Sequence, residues 1–313
     1  ADRRGLSGRG ARQPHVVTRT LPPQHLALAL VVMAVWGSNF VVIDFALQHL
    51  PPLTLGVLRF AVVFLPAALF IRRPPVAWRN LAAYGISIGA GQFGALFVAL
   101  RSDVTPGLAS LMMQSQVIFT ILLSVLLTGE RVARAQIAAL GVSAAGLLLI
   151  AFEGGGSVTP LGFALIGFAA FSWATGNLVA RSAGRVDMLG YIVWSAVFAV
   201  PPLFGLALIF EGWPAIVAGV QAADAATWGA VIWQAVGNAM FGYGVWGWLL
   251  ARYPAATVAP MALLIPVFGL GSAAWFLGEP LQPWKLAAAA LVIGGVGMGV
   301  LGGVLAQASN KPS

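Results

Sequence analysis

Ten long apolar runs follow one another at short intervals, over 26–47, 52–71, 81–100, 106–128, 135–152, 160–180, 188–210, 228–250, 256–277 and 285–305. Each is close to the roughly 20 residues that an α-helix needs to cross the hydrocarbon core of a bilayer. Inside these limits the only charges are Asp44 in the first run, Arg59 in the second and Lys285 at the start of the tenth. A soluble domain covers itself with about 25% charged residues; here 8% are charged and 59% hydrophobic. A closed β-barrel is the other backbone solution in lipid. It needs strands of about ten residues alternating apolar and polar, and no run alternates in that way. The expected fold is an all-α integral membrane protein with ten transmembrane helices.

The basic residues orient it. Of 17 Lys and Arg, fourteen fall on one set of connections: Arg3, Arg4, Arg9, Arg12, Arg19, Arg72, Arg73, Arg79, Arg131, Arg134, Arg181, Arg185, Arg252 and Lys311. Arg101 and Lys285 fall on the other set, and Arg59 lies within a run. The positive-inside rule then places both termini in the cytoplasm. This distribution accounts for the net charge of +8 without a nucleic-acid partner. Residues 1–24, polar and rich in Arg, Pro and Gly, are expected to form a disordered cytoplasmic tail, with a second short tail at 307–313. The first run is too long for a signal-peptide core and is read as a helix that stays. Cys is absent, so disulfides, thiolate metal sites and a catalytic thiol are excluded.

The chain also repeats itself. Leu127-Thr128-Gly129-Glu130 and the following Gln136-Ile137-Ala138-Ala139 correspond to Phe276-Leu277-Gly278-Glu279 and Lys285-Leu286-Ala287-Ala288 at one offset of 149. That offset also pairs Met112 with Met261 and Gly146 with Gly295. Trp36-Gly37-Ser38-Asn39 has a counterpart in Trp173-Ala174-Thr175-Gly176-Asn177. The reading is a five-plus-five duplication, with repeats at 25–153 and 154–306. Five is odd, so the second copy enters the membrane from the opposite side, an architecture of transporters.

These features resemble the EamA family of the drug/metabolite transporter superfamily. The resemblance rests on the two halves, the Gly-Glu turns after the fourth and ninth runs, Leu58-Arg59-Phe60, and the Trp-Gly-Ser-Asn-Phe stretch at 36–40. It covers about 26–305, and within the family the chain looks most like the YddG-type exporters of aromatic and other amino acids. It implies a bacterial inner-membrane exporter without a cofactor. It also implies a substrate cavity between the halves lined by runs one, three, four, six, eight and nine, with five and ten apart from it.

The residues themselves point to a similar cavity. Polar side chains deep in a span are costly and face a bundle interior or a wet cavity. The candidates are Trp36 and Asn39, Tyr84 and Gln92, Trp173 and Asn177, and Gln234 and Asn238 with Trp233 beside them. Trp194 is a further candidate for the wall. Amides among aromatic rings suit a small zwitterion or a flat ring; hydrogen bonding that only joins helices is the alternative for each residue. Gln114 and Gln116 are about 200° apart on an α-helix, and Gln116 is the preferred one. Asp44 and Arg59 either pair with each other or leave Arg59 to meet a substrate carboxylate. Pro260 and Pro266 interrupt the ninth run and could serve as gating kinks. Glu130 and Glu279 read as structural residues at helix starts, and Gly85 with Gly89 and Gly295 with Gly299 as close-packing pairs.

The expected partners are the bilayer and a small molecule, amino acids first and other metabolites or cationic drugs second. The oligomeric state is left open, and a monomer would suffice. No zinc, nucleophile-elbow or deep acid-pair motif supports an intramembrane enzyme, and no filter sequence or charge ring supports a channel.

Overall fold

The computed structural model describes residues 21–128, 134–253 and 255–309. The N-terminal stretch to residue 20, the Gly129-Glu130 turn, Arg131 and Lys311 lie outside the described residues. The helices are α1 (Pro23–Ala46), α2 (Pro52–Leu69), α3 (Trp78–Ser102), α4 (Pro106–Leu127), α5 (Gln136–Glu153), α6 (Pro160–Ser182), α7 (Met188–Phe210), α8 (Trp213–Ala222), α9 (Ala225–Arg252), α10 (Pro260–Leu277) and α11 (Pro283–Ser309). Among the described residues, eight are long and apolar enough to cross a membrane, or nine if α8 and α9 form one bent span. The apolar stretch of α11, Pro283–Gly299, is shorter. An isolated antiparallel bridge, Val104 to Val158, stands alone, with no sheet among the described residues.

Local chemistry sets the starts of these helices. Pro opens α1, α2, α4, α6 and α11, where a missing N–H costs nothing and φ is already helical. Thr159, Asp187 and Asp224 cap α6, α7 and α9 by accepting from the N–H groups of Gly162, Gly190 and Thr227 at 2.9, 3.0 and 2.8 Å. Gly278 ends α10 in the left-handed region, φ 66°, which favours a residue without Cβ.

One element departs from the sequence reading. The segment 211–227, which the ten runs leave as a connection, contains the helix α8, which meets α9 at a bend of 104°. The turn at 223–224, where Asp224 takes an extended conformation to cap α9, makes the corner.

α5 and α11 form a close pair whose contact is reciprocal. A Cβ on Gly146 would meet the Ala288 carbonyl and Val292, and one on Gly295 would meet the Ala139 carbonyl and Ser143. Each pair maps onto the other at the offset of 149. Gly85 and Gly89 of α3 lie against Ser195 and Ala199 of α7 in the same close manner. The glycine pairs are thus packing positions, as their spacing suggested.

Five helical stretches depart from α-geometry. Ile86–Gly94 in α3 and Trp233–Phe241 in α9 are π-helical, nine residues each. Ala67–Leu69 at the end of α2, Met113–Ser115 within α4 and Ala259–Leu264 at the start of α10 are 3₁₀-helical. Wide π-turns occur mostly at functional positions, and here they carry Gln92, Gln234 and Asn238.

Candidate functional site

A cavity of ≈380 Å³ lies between the halves, with Trp36, Tyr84, Gln116, Trp173, Asn177 and Tyr243 among its walls. It reaches Ala180, Met188 and Leu250, at the end of the bundle that bears Arg181, Arg185 and Arg252. Asn177 donates to Gln116 Oε1 at 3.2 Å. Trp36 packs against Tyr243 and Trp246 at centroid distances of 5.0 and 5.6 Å and donates to the Asn238 carbonyl at 3.1 Å. Runs one, three, four, six, eight and nine all contribute, as the resemblance implied. Met188 of α7 and Val296 of α11 also reach the cavity, so the tenth run does not stand wholly apart from it.

A recess of ≈50 Å³ continues beyond this chamber, bordered by Asn39, Gln92, Gln114 and Asn238. Trp36, Gln114, Trp173 and Tyr243 line both spaces, so the two are neighbours. Gln114 belongs to the site together with Gln116. The 3₁₀ turn at Met113–Ser115 advances each residue by about 120° rather than 100° and brings the two amides nearer to one side.

Arg59 of α2, 1% exposed, lines a separate small space with Tyr84, Phe93 and Tyr243, and Phe93 and Tyr243 also border the recess. Its Nη2 donates to Asn238 Oδ1 at 3.0 Å and its Nη1 to Gln234 Oε1 at 3.5 Å. The guanidinium lies 3.5 Å from the centroid of the Phe93 ring. Among the described residues no carboxylate is within ion-pair distance of it. Asp44, partly exposed on α1, does not pair with it, so the two intramembrane charges are separate features.

Two candidates fall elsewhere. Trp233 is 40% exposed and lines an outer groove with Val41, Val42 and Phe276; it points away from the interior side of α9 taken by Gln234, which is fully buried. Trp194 donates to the Ile71 carbonyl at 2.9 Å and packs on Phe64 and Trp78, away from both cavities. Pro260 lies within the 3₁₀ stretch and Pro266 just after it, in the first turn of the following helix.

The opposite end of the bundle is tied together. Glu279 accepts from Thr105 Oγ1 at 2.6 Å and from the Gly107 N–H at 2.9 Å, and its Oε1 lies 2.8 Å from Lys285 Nζ. The carboxylate thus caps α4, an element of the other half, rather than the helix that follows it in sequence. Its charge offsets both the N-terminal dipole of α4 and the buried Lys285. Glu211 does the same for α2, accepting from the N–H groups of Leu53 and Thr54 at 2.5 and 3.0 Å. Sequence spacing carried no sign of either contact, because each partner lies more than 150 residues away.

A largely apolar, ring-walled chamber that carries a few amides and reaches one end of a helical membrane bundle, with the other end joined by contacts between distant helices, fits one class: a membrane transporter. The chain belongs to the EamA-like transporter family, whose sequence pattern matches residues 25–152 and 160–301. It is 40% identical over 281 residues to a "Probable amino-acid metabolite efflux pump" of Salmonella typhimurium, covering 88% of this chain and 94% of that one. It is 29% identical over 280 residues to a "Probable terminal-alkyne amino-acid exporter" of Streptantibioticus cattleyicolor, covering 86% and 91%. A solved structure with 19% identity superposes with a TM-score of 0.61 over 89% of this chain and 97% of its own, a likeness of fold.

Proposed function

We propose that this protein exports amino acids, aromatic ones among them, and related small metabolites by alternating access. The ten runs act as ten spans in two inverted five-helix repeats, with both termini in the cytoplasm of a bacterial inner membrane. The observation that carries the reading is the chamber: uncharged amides and rings surround it, it reaches the Arg-rich end, and Glu279 holds the other end shut. With the Arg-rich end in the cytoplasm, this is an inward-facing state ready to load.

Three observations support the repeat. The family pattern matches once per half. The α5–α11 contact is reciprocal at the repeat offset. The π-turns of α3 and α9 occupy corresponding places, as do the 3₁₀ stretches of α4 and α10. A binding site between two such halves can exchange its exposure from one side to the other. The names of the two relatives support amino acids as cargo.

The test is uptake of labelled amino acids, one at a time, into proteoliposomes holding the purified protein. Saturable flux that unlabelled amino acid suppresses, and that Asn238→Ala weakens in protein that still folds, is expected. No flux for any amino acid, with or without a pH gradient or potential, would overturn the amino-acid reading. Flux that fails to saturate would overturn the carrier in favour of a channel.

A further inference from the structure

We infer that the recess is a seat for the head group of a zwitterionic α-amino acid, with the Arg59 guanidinium taking the carboxylate and the Asn39 and Gln92 oxygens taking the ammonium. The inference rests on the amino-acid reading and specifies its site.

Hydrogen-bonding capacity left over inside the protein carries the argument. Among the described residues, five buried side-chain atoms lack a protein partner, and four belong to this one cluster: Asn39 Oδ1, Gln92 Oε1, Arg59 Nε and Gln234 Nε2. Buried polar atoms are almost always paired, and leaving one unpaired is costly. The unpaired atoms also sort by sign. Asn39 and Gln92, 3% and 4% exposed, border the recess and hold unpaired acceptors. Arg59 and Gln234 bring donors on the side of Asn238.

The guanidinium is aimed for a fork. Nε and Nη2 form one edge of that plane, the edge that grips a carboxylate bidentately. Nη2 is held by Asn238 Oδ1, Nε is free, and Asn238 itself borders the recess. A carboxylate arriving there replaces one neutral oxygen at Nη2 and satisfies Nε at the same time. The charge of Arg59 is already desolvated and, among the described residues, is offset by amide oxygens and the Phe93 and Phe60 rings rather than by a carboxylate, so a true counter-ion relieves a cost the folded protein carries. By volume, the recess has room for roughly three to five water-sized groups, which suits a head group. The substrate side chain then lies in the larger chamber between Trp36, Trp173 and Tyr243.

The experiment takes the amino acid that the protein carries fastest and measures competition by its methyl ester and its N-acetyl derivative. Wild-type protein is expected to favour the free amino acid over either by about tenfold or more, the scale of one charged hydrogen-bonded contact. Arg59→Gln should raise KM about tenfold and bring acid and ester close to parity, while Gln92→Met should narrow only the preference over the N-acetyl compound. A merely structural Arg59 would depress transport of acid and ester alike and leave their ratio unchanged, which overturns the inference. So does a wild-type protein that takes acid and ester equally. Where Arg59→Gln does not elute as a folded species, Arg59→Lys, which keeps the charge and loses the fork, is read by the same ratio. A wild-type protein that carries no amino acid fails the reading beneath, and the seat falls with it.

Discussion

At the residue scale, the decisive side chains are buried charges, and each is held by a different device. Arg59 is carried by amides and a ring, whereas Lys285, also buried, is carried by Glu279. Removing one member of a buried pair strands the other, at about 3–5 kcal/mol. Glu279→Ala should therefore lower the melting temperature markedly, and Lys285→Met in the same chain should recover much of it; thermal unfolding in detergent checks both. Asp224, at the cap of α9 outside the spans, has its carboxyl held below the usual carboxylate range, first by the Thr227 N–H and then by the Thr227 hydroxyl. A depressed carboxyl stabilises the fold above its unfolded range and loses that contribution as pH falls through the folded one. The difference in melting temperature between wild type and Asp224→Ala should thus be widest near neutral pH and close on acidification.

At the element scale, helix contacts here depend on missing side chains. Gly295 meets backbone and Ser143 of α5, while its neighbour Gly294 has open space. Gly295→Val should destabilise by roughly 1–3 kcal/mol or more, the usual cost of overpacking, and Gly294→Ala should be nearly silent. Parallel melts of the two variants decide this. The reciprocity of that contact could not be read from the glycines themselves; the offset of 149 named Gly146 and Gly295 as equivalents, but only packing shows that each faces the other's helix. Trp233 carries a similar lesson. Its place next to Gln234 suggested a cavity wall, yet adjacent helix residues point about 100° apart, and the amide took the interior.

At the scale of the whole molecule, orientation and state are linked. The chamber reaches the end that bears Arg181, Arg185 and Arg252. Because the chain has no Cys, single introduced thiols report sidedness cleanly. In intact cells a membrane-impermeant thiol reagent should label Gly155→Cys and spare Arg185→Cys; the reverse pattern would invert the orientation and the loading direction with it.

The sequence by itself determined the membrane, the helices and the broad layout. Apolar length, scarce charge and skewed Arg placement are chain-level quantities, and lipid leaves a backbone few options. It also supplied Asn39, Gln92, Gln116, Asn177 and Asn238 as cavity candidates, since polar groups in a span need a reason to be there. The tertiary structure alone decided which of them meet. Whether Arg59 pairs with Asp44 or rests on Asn238, and whether Glu279 caps its own helix or α4, depends on contacts across more than 150 residues. Helical periodicity fixes only which neighbours share a face; the burial of a charge, and what must offset it, is set by helices brought together from opposite ends of the chain.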